Sequence, residues 1–72
     1  MKKQNEMVLE YIRRYGSITP LQAFADLGIM RLASRISDLK KEGYSIERQM
    51  IESRNRWGEP VRIAEYRFGS GV

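Results

Sequence analysis

The stretch Thr19-Pro20-Leu21-Gln22-Ala23-Phe24-Ala25-Asp26-Leu27-Gly28-Ile29-Met30-Arg31-Leu32-Ala33-Ser34-Arg35-Ile36-Ser37-Asp38-Leu39-Lys40 reads as two helices and the turn between them. Thr19 is a favourable N-cap, Gln22 completes a capping box, and Pro20 falls at the first helical position, where its missing N–H costs nothing. The spacing predicts Leu21, Phe24, Ala25 and Leu27 facing inward on a short helix that Gly28 ends. Ile29 then leads into a longer helix over about residues 30–42, with Leu32, Ala33, Ile36 and Leu39 on its buried side and Gly43 closing it. Arg31, Ser34, Asp38 and Lys41 fall on the opposite side, with Arg35 at its border. That outer stripe is polar and net positive.

Upstream, Met7, Val8, Tyr11, Ile12 and Tyr15 recur at helical spacing, so a first helix is expected from Gln4 to Tyr15. Gly16 stops it, Arg13 and Arg14 suit the negative end of its dipole, and either Lys3 or Asn5 caps its start. Ser17 and Ile18 form an extended connector that can add a short third strand near Ile18. Downstream of Gly43 the period changes to two. Ile46 and Met50 alternate with polar residues, as do Ala64, Tyr66 and Phe68 with Ile63, Glu65 and Arg67, which predicts two strands. Between them Ser53-Arg54-Asn55-Arg56-Trp57-Gly58-Glu59-Pro60 is a turn, with Asn55 and Gly58 expected at positive φ. Met7, Tyr11, Tyr15, Phe24 and Phe68 are expected in the core. Trp57 is expected to pack on the hairpin body, Tyr44 across the start of the sheet, and the tail Gly69-Ser70-Gly71-Val72 to be flexible.

Composition narrows the function. Seventy-two residues carry 13 basic and 9 acidic side chains, a net of +4, and no histidine or cysteine. A chain this short buries about 60% of its unfolded surface, so a single domain over residues 1–72 with one small core is expected. The missing residue types remove thiolate zinc sites, disulfides and the commonest general base. Glu6 and Glu10 read as the polar face of the first helix, and no constellation for catalysis is present. The start, Met1-Lys2-Lys3-Gln4-Asn5-Glu6, does not read as a signal peptide and no apolar run approaches about 20 residues, so the expectation is a cytoplasmic protein without a membrane partner.

Three helices followed by a β-hairpin, with a glycine turn between the second and third, is the element order of a winged helix-turn-helix, an α+β fold. The runs Met7-Val8-Leu9-Glu10-Tyr11-Ile12, Gly16-Ser17-Ile18-Thr19-Pro20-Leu21, Leu27-Gly28-Ile29, Arg31-Leu32-Ala33-Ser34-Arg35-Ile36, Asp38-Leu39-Lys40 and Val61-Arg62-Ile63-Ala64-Glu65-Tyr66 resemble the small winged helix-turn-helix proteins of bacteria and their phages or prophages. The resemblance covers about residues 4–68 and implies a DNA-binding domain with no enzymatic role and no cofactor. One departure stands out. The simple helix-turn-helix has an alanine four residues before the turn glycine, where this chain has Phe24, so the looser winged variant with a longer turn is expected.

The third helix is long enough to present side chains to base edges across a major groove about 12 Å wide. Arg31 and Arg35, one turn apart, are candidates for guanine, and Ser34 and Asp38 fill the same stripe. Asp38 can accept from cytosine or hold an arginine in place, and Lys41 suits phosphate. Arg54, Asn55 and Arg56 form a cationic tip for an adjacent minor groove or backbone, and Thr19 at a helix N-terminus is a phosphate candidate. Arg31 and Arg35 also have a plainer reading as solvated charges or helix partners of Asp38, and Arg54 and Arg56 as tip charges that keep sheet edges from pairing with other chains. On this reading Arg35→Ala relaxes sequence preference, while Arg56→Ala weakens binding evenly.

The function expected from these residues is sequence-specific binding of double-stranded DNA by a small transcriptional regulator near the nucleoid, in host cytoplasm if phage-encoded. Two alternatives stand beside it: an architectural factor that bends DNA in excision or packaging, and a winged-helix adaptor whose basic face meets an acidic protein. No long heptad repeat extends from either end, which suggests a monomer or a weak homodimer.

Overall fold

The computed structural model describes residues 3–69. Helix α1 spans Gln4–Tyr15, α2 Pro20–Leu27 and α3 Leu32–Lys41, and strands β1 (Ile46–Arg54) and β2 (Pro60–Phe68) form an antiparallel hairpin. The expected α+β order of three helices and a winged hairpin is present. Pairing is regular from Ile46 opposite Phe68 to Arg54 opposite Pro60. Beyond it, Ile18 forms a bridge to Tyr66, with Ile18 N–H to Tyr66 O at 2.9 Å and Tyr66 N–H to Ile18 O at 2.8 Å. This single-residue bridge, in place of the expected short third strand, ties the connector after α1 to the two-stranded sheet.

The capping box forms as its spacing dictates. Thr19 Oγ1 accepts from Gln22 N–H at 3.2 Å, and Gln22 Oε1 accepts from Thr19 N–H at 3.0 Å. Gly28 ends α2 at φ +71° and ψ 19°, a left-handed conformation that reverses the chain and that side chains with a Cβ resist. Residues 28–31 make the turn, a four-residue connection within the length of the simple motif, and Phe24 faces solvent, so it does not splay the two helices into the longer turn expected. At α1 the cap is Lys3, with no side-chain hydrogen bond.

The core is Val8, Leu9, Ile12, Ile18, Ala23, Ile29, Leu32, Ile36, Leu39, Ile46 and Tyr66. Several expectations are corrected here. Leu9 joins Val8 and Ile12 inside, so the buried stripe of α1 is rotated, and Tyr15 lies 62% exposed with its ring against Tyr11. On α2 the buried residue is Ala23, whereas Leu21, Phe24 and Ala25 face solvent. A small side chain at that contact lets the short helix pack closely, and the larger residues on either side are turned out. Met7, Tyr11, Leu27, Ala64 and Phe68 are half-buried against the core.

Further corrections concern boundaries. α3 begins at Leu32 rather than Met30 and ends at Lys41, and Ala33 is exposed. The strands reach Arg54 and Pro60, which shortens the turn to residues 55–59. Asn55 does not take positive φ; Gly58 alone in this turn does, at +78°. Tyr44 is exposed rather than packed across the sheet. Gly69 is buried, with its N–H donated to Ser45 O at 2.9 Å, so it extends the hairpin ladder instead of starting a flexible tail. The rest of that tail lies outside the described residues.

Candidate nucleic-acid interface

The orientation of α3 follows from which residues it buries. Leu32, Ile36 and Leu39 point into the core, and at about 100° per residue the direction opposite them holds Ser34, Lys41, Ser37 and Asp38. Ser34, Ser37, Lys40, Lys41 and Ala33 are all exposed. Among the described residues, the hairpin flanks this face on one side, where β1 packs beside α3. Between the two lies a groove of about 350 Å³ lined by Ala33, Ile36, Ser37, Lys40, Arg48 and Tyr66. Its lining has two cations and no carboxylate. Lys40 comes from α3 and Arg48 from β1, so neither element alone makes the groove.

The residues expected to carry the site are distributed as follows. Ser34 and Lys41 stand exposed on the outer face of α3. Arg31 is exposed too, but as the N-cap at φ −119° and ψ 64° it stands one residue outside the helix, ahead of the stripe that Arg35 borders. Arg35 lies at the margin, its side chain 34% exposed, with Nη2 3.3 Å from Asp38 Oδ2. The i,i+3 reading of that pair is the one the structure bears out, and Asp38 is engaged by Arg35 in the same contact.

Thr19 is 7% exposed, and its hydroxyl accepts the capping hydrogen bond from Gln22. It positions the start of α2 from inside the domain. The tip is more ordered than a flexible cationic loop. Arg54 Nη1 donates to Gly58 O at 2.7 Å, folding that guanidinium back over the turn. Asn55 Oδ1 accepts from the N–H groups of Trp57 and Glu59, both at 3.0 Å. Arg56 is exposed.

Five residues escaped the sequence reading. Ala33, Ser37, Lys40 and Arg48 line the groove, and Trp57 is 77% exposed at the tip instead of packed on the hairpin body. Ala33, Ser37 and Lys40 share one stripe at helical spacing, and with Leu32, Ile36 and Leu39 as the buried residues that stripe lies at the edge of the core, exposed toward the hairpin. Arg48 gave no signal in the sequence, because its place opposite Tyr66 and beside α3 depends on strand register.

Among the described residues no group of acidic or other ligating side chains could hold a metal ion, and no helix is long and apolar enough to cross a membrane. No curated protein and no solved structure matches the chain significantly. A family model described as a winged helix-turn-helix domain matches residues 3–71. Three helices, a glycine-reversed turn, a hairpin beside the last helix and this match agree: the chain belongs to the winged helix-turn-helix family, whose members are in general DNA-binding domains and typically not enzymes.

Proposed function

We propose that the protein binds double-stranded DNA sequence-specifically, with the outer face of α3 in the major groove and the hairpin along the neighbouring backbone and minor groove, as a small transcriptional regulator of a bacterium or phage. The observation that carries this reading is the groove between α3 and β1, in which Lys40 and Arg48 face the same space with no carboxylate lining it. Two cations from different elements fit a phosphate backbone running between helix and wing. Ser34 and Ser37 suit base edges, since a hydroxyl donates or accepts, and Lys41 extends the positive face. A ten-residue helix is about 15 Å long, enough to span the groove.

Binding to a mixed-sequence duplex, followed by anisotropy of an end label, tests it. Affinity is expected to fall as salt rises, with a log–log slope of about −0.9 for each phosphate neutralised. Lys40→Ala and Arg48→Ala are each expected to reduce that slope by about one contact. Affinity indifferent to salt, or no duplex binding even at low salt, would overturn the proposal. The adaptor reading draws on a different surface: Leu21 and Phe24 on α2 are exposed at 72% and 56%, which suits an apolar partner more than an acidic one.

A further inference from the structure

The hairpin tip is built to hold one side chain in water. Gly58 N–H donates to Asn55 O at 3.0 Å, which makes Arg56 and Trp57 the two corner residues of the turn. Asn55 N–H donates to Glu59 O at 3.0 Å, and the Asn55 side chain and Arg54 add the further bonds described above. Corner residues project from the end of the ladder. Trp57 stands there 77% exposed, and its indole takes no part in the ring contacts found among the described residues. The largest apolar side chain of the protein thus adds nothing to the core, although its backbone is held firmly.

Its surroundings narrow what it can meet. The core of a protein–protein interface is depleted in charged side chains. Trp57 instead adjoins Arg54, Asn55, Arg56 and Glu59. An exposed guanidinium beside an exposed indole matches the two surfaces of a nucleotide, a phosphate and the flat face of a base.

We propose that Trp57 is a wedge: its indole inserts against a base-pair step in the minor groove, partly unstacks that step and bends the duplex, while Arg56 holds the adjoining phosphate. This inference rests on the DNA-binding reading, and among the alternatives it favours an architectural role. Unstacking costs least at pyrimidine–purine steps, so the wedge prefers duplexes that contain TA steps.

Trp57 is the chain's single tryptophan, so its emission reports on itself. The test uses the full chain with two labelled duplexes of about two helical turns, one with central TA steps and one without pyrimidine–purine steps at its centre. Anisotropy reads binding, Trp57 emission reads stacking, and energy transfer between end labels reads bending. Wild type is expected to bind both duplexes, to prefer the TA duplex several-fold, to lose much of its emission on binding and to bring the duplex ends closer. Trp57→Ala is expected to keep most of its affinity and lose both the bend and the preference, and Trp57→Phe to restore part of each. Unchanged emission in a bound complex, or equal bending by Trp57→Ala, would overturn the wedge and leave DNA binding standing. Failure of wild type to bind either duplex at low salt overturns the DNA reading and the wedge with it.

Discussion

Gly28 shows how a single residue decides the course of the chain. Its φ of +71° lies in the left-handed region, and a Cβ built there would meet nothing within 4 Å. Any penalty for a side chain is therefore backbone strain alone, about 1–2 kcal/mol for alanine. Gly28→Ala is expected to lower the urea midpoint accordingly, and Gly28→Asn to lower it less, because asparagine tolerates that conformation. Equal loss in both variants would point to a cause other than φ.

Tyr11 offers a second test at this scale. Its hydroxyl donates to Asp26 Oδ2 at 2.6 Å. Its pKa is pushed up from 10.0 to about 12, first by that hydrogen bond and then by desolvation and the Asp26 charge. The folded state thus holds the proton more tightly than the unfolded one. The contact's contribution is whole below about pH 10 and is lost as pH rises through about 12. The difference in urea midpoint between wild type and Tyr11→Phe is expected to close across that window; a constant gap from pH 8 to 12 would contradict the assignment.

Among the elements, α2 depends most on its ends. Eight residues are too few for a stable isolated helix, so the capping box and the left-handed glycine set its limits. Thr19→Ala removes one of the two reciprocal bonds and is expected to cost about 0.5–2 kcal/mol, read as a shift in thermal midpoint. On α3 the geometry changes which substitutions should matter. Arg35 is half-buried and paired with Asp38 at 3.3 Å, an interaction of small net value between partly exposed groups. Ser37 stands exposed on the outer face of α3. Exchange of base preference is therefore expected from Ser37→Ala more than from Arg35→Ala when both are compared on a panel of selected duplexes; a larger change in Arg35→Ala would restore the arginine to the reading face.

For the molecule as a whole, Ile18 joins the helices to the sheet. It is fully buried, and its two backbone hydrogen bonds to Tyr66 are the strand pairing outside the hairpin. Ile18→Ala is expected to cost about 2–5 kcal/mol. A domain of this size has a total stability of only about 4–11 kcal/mol, so the variant should unfold many degrees lower and lose duplex binding in parallel. Loss of stability without loss of binding would show that the hairpin holds its place beside α3 without this bridge. The dependence on the whole fold is physical: Lys40 and Arg48 share a groove only because β1 packs beside α3, and that placement passes through Ile18 and Tyr66.

The amino-acid sequence by itself determined the element order, the capping box at Thr19 and Gln22, the reversal at Gly28 and the change of period after Gly43. These are local matters: φ preferences, capping hydrogen bonds and hydrophobic periodicity act over a few residues and do not need a partner element. Spacing also placed Val8, Ile12, Leu32, Ile36 and Leu39 inward, but the rotation of each face was decided by tertiary structure. Phe24 and Tyr15 lie on plausible apolar stripes yet face solvent, because Ala23 and Leu9 make the contacts that bring the helices together. The pairing of Arg35 with Asp38, the arrival of Arg48 beside Lys40 and the exposure of Trp57 likewise depend on which neighbours pack where. A side chain's burial is a property of its surroundings in space, and periodicity along one segment fixes a face only to within the rotation that its packing partners select.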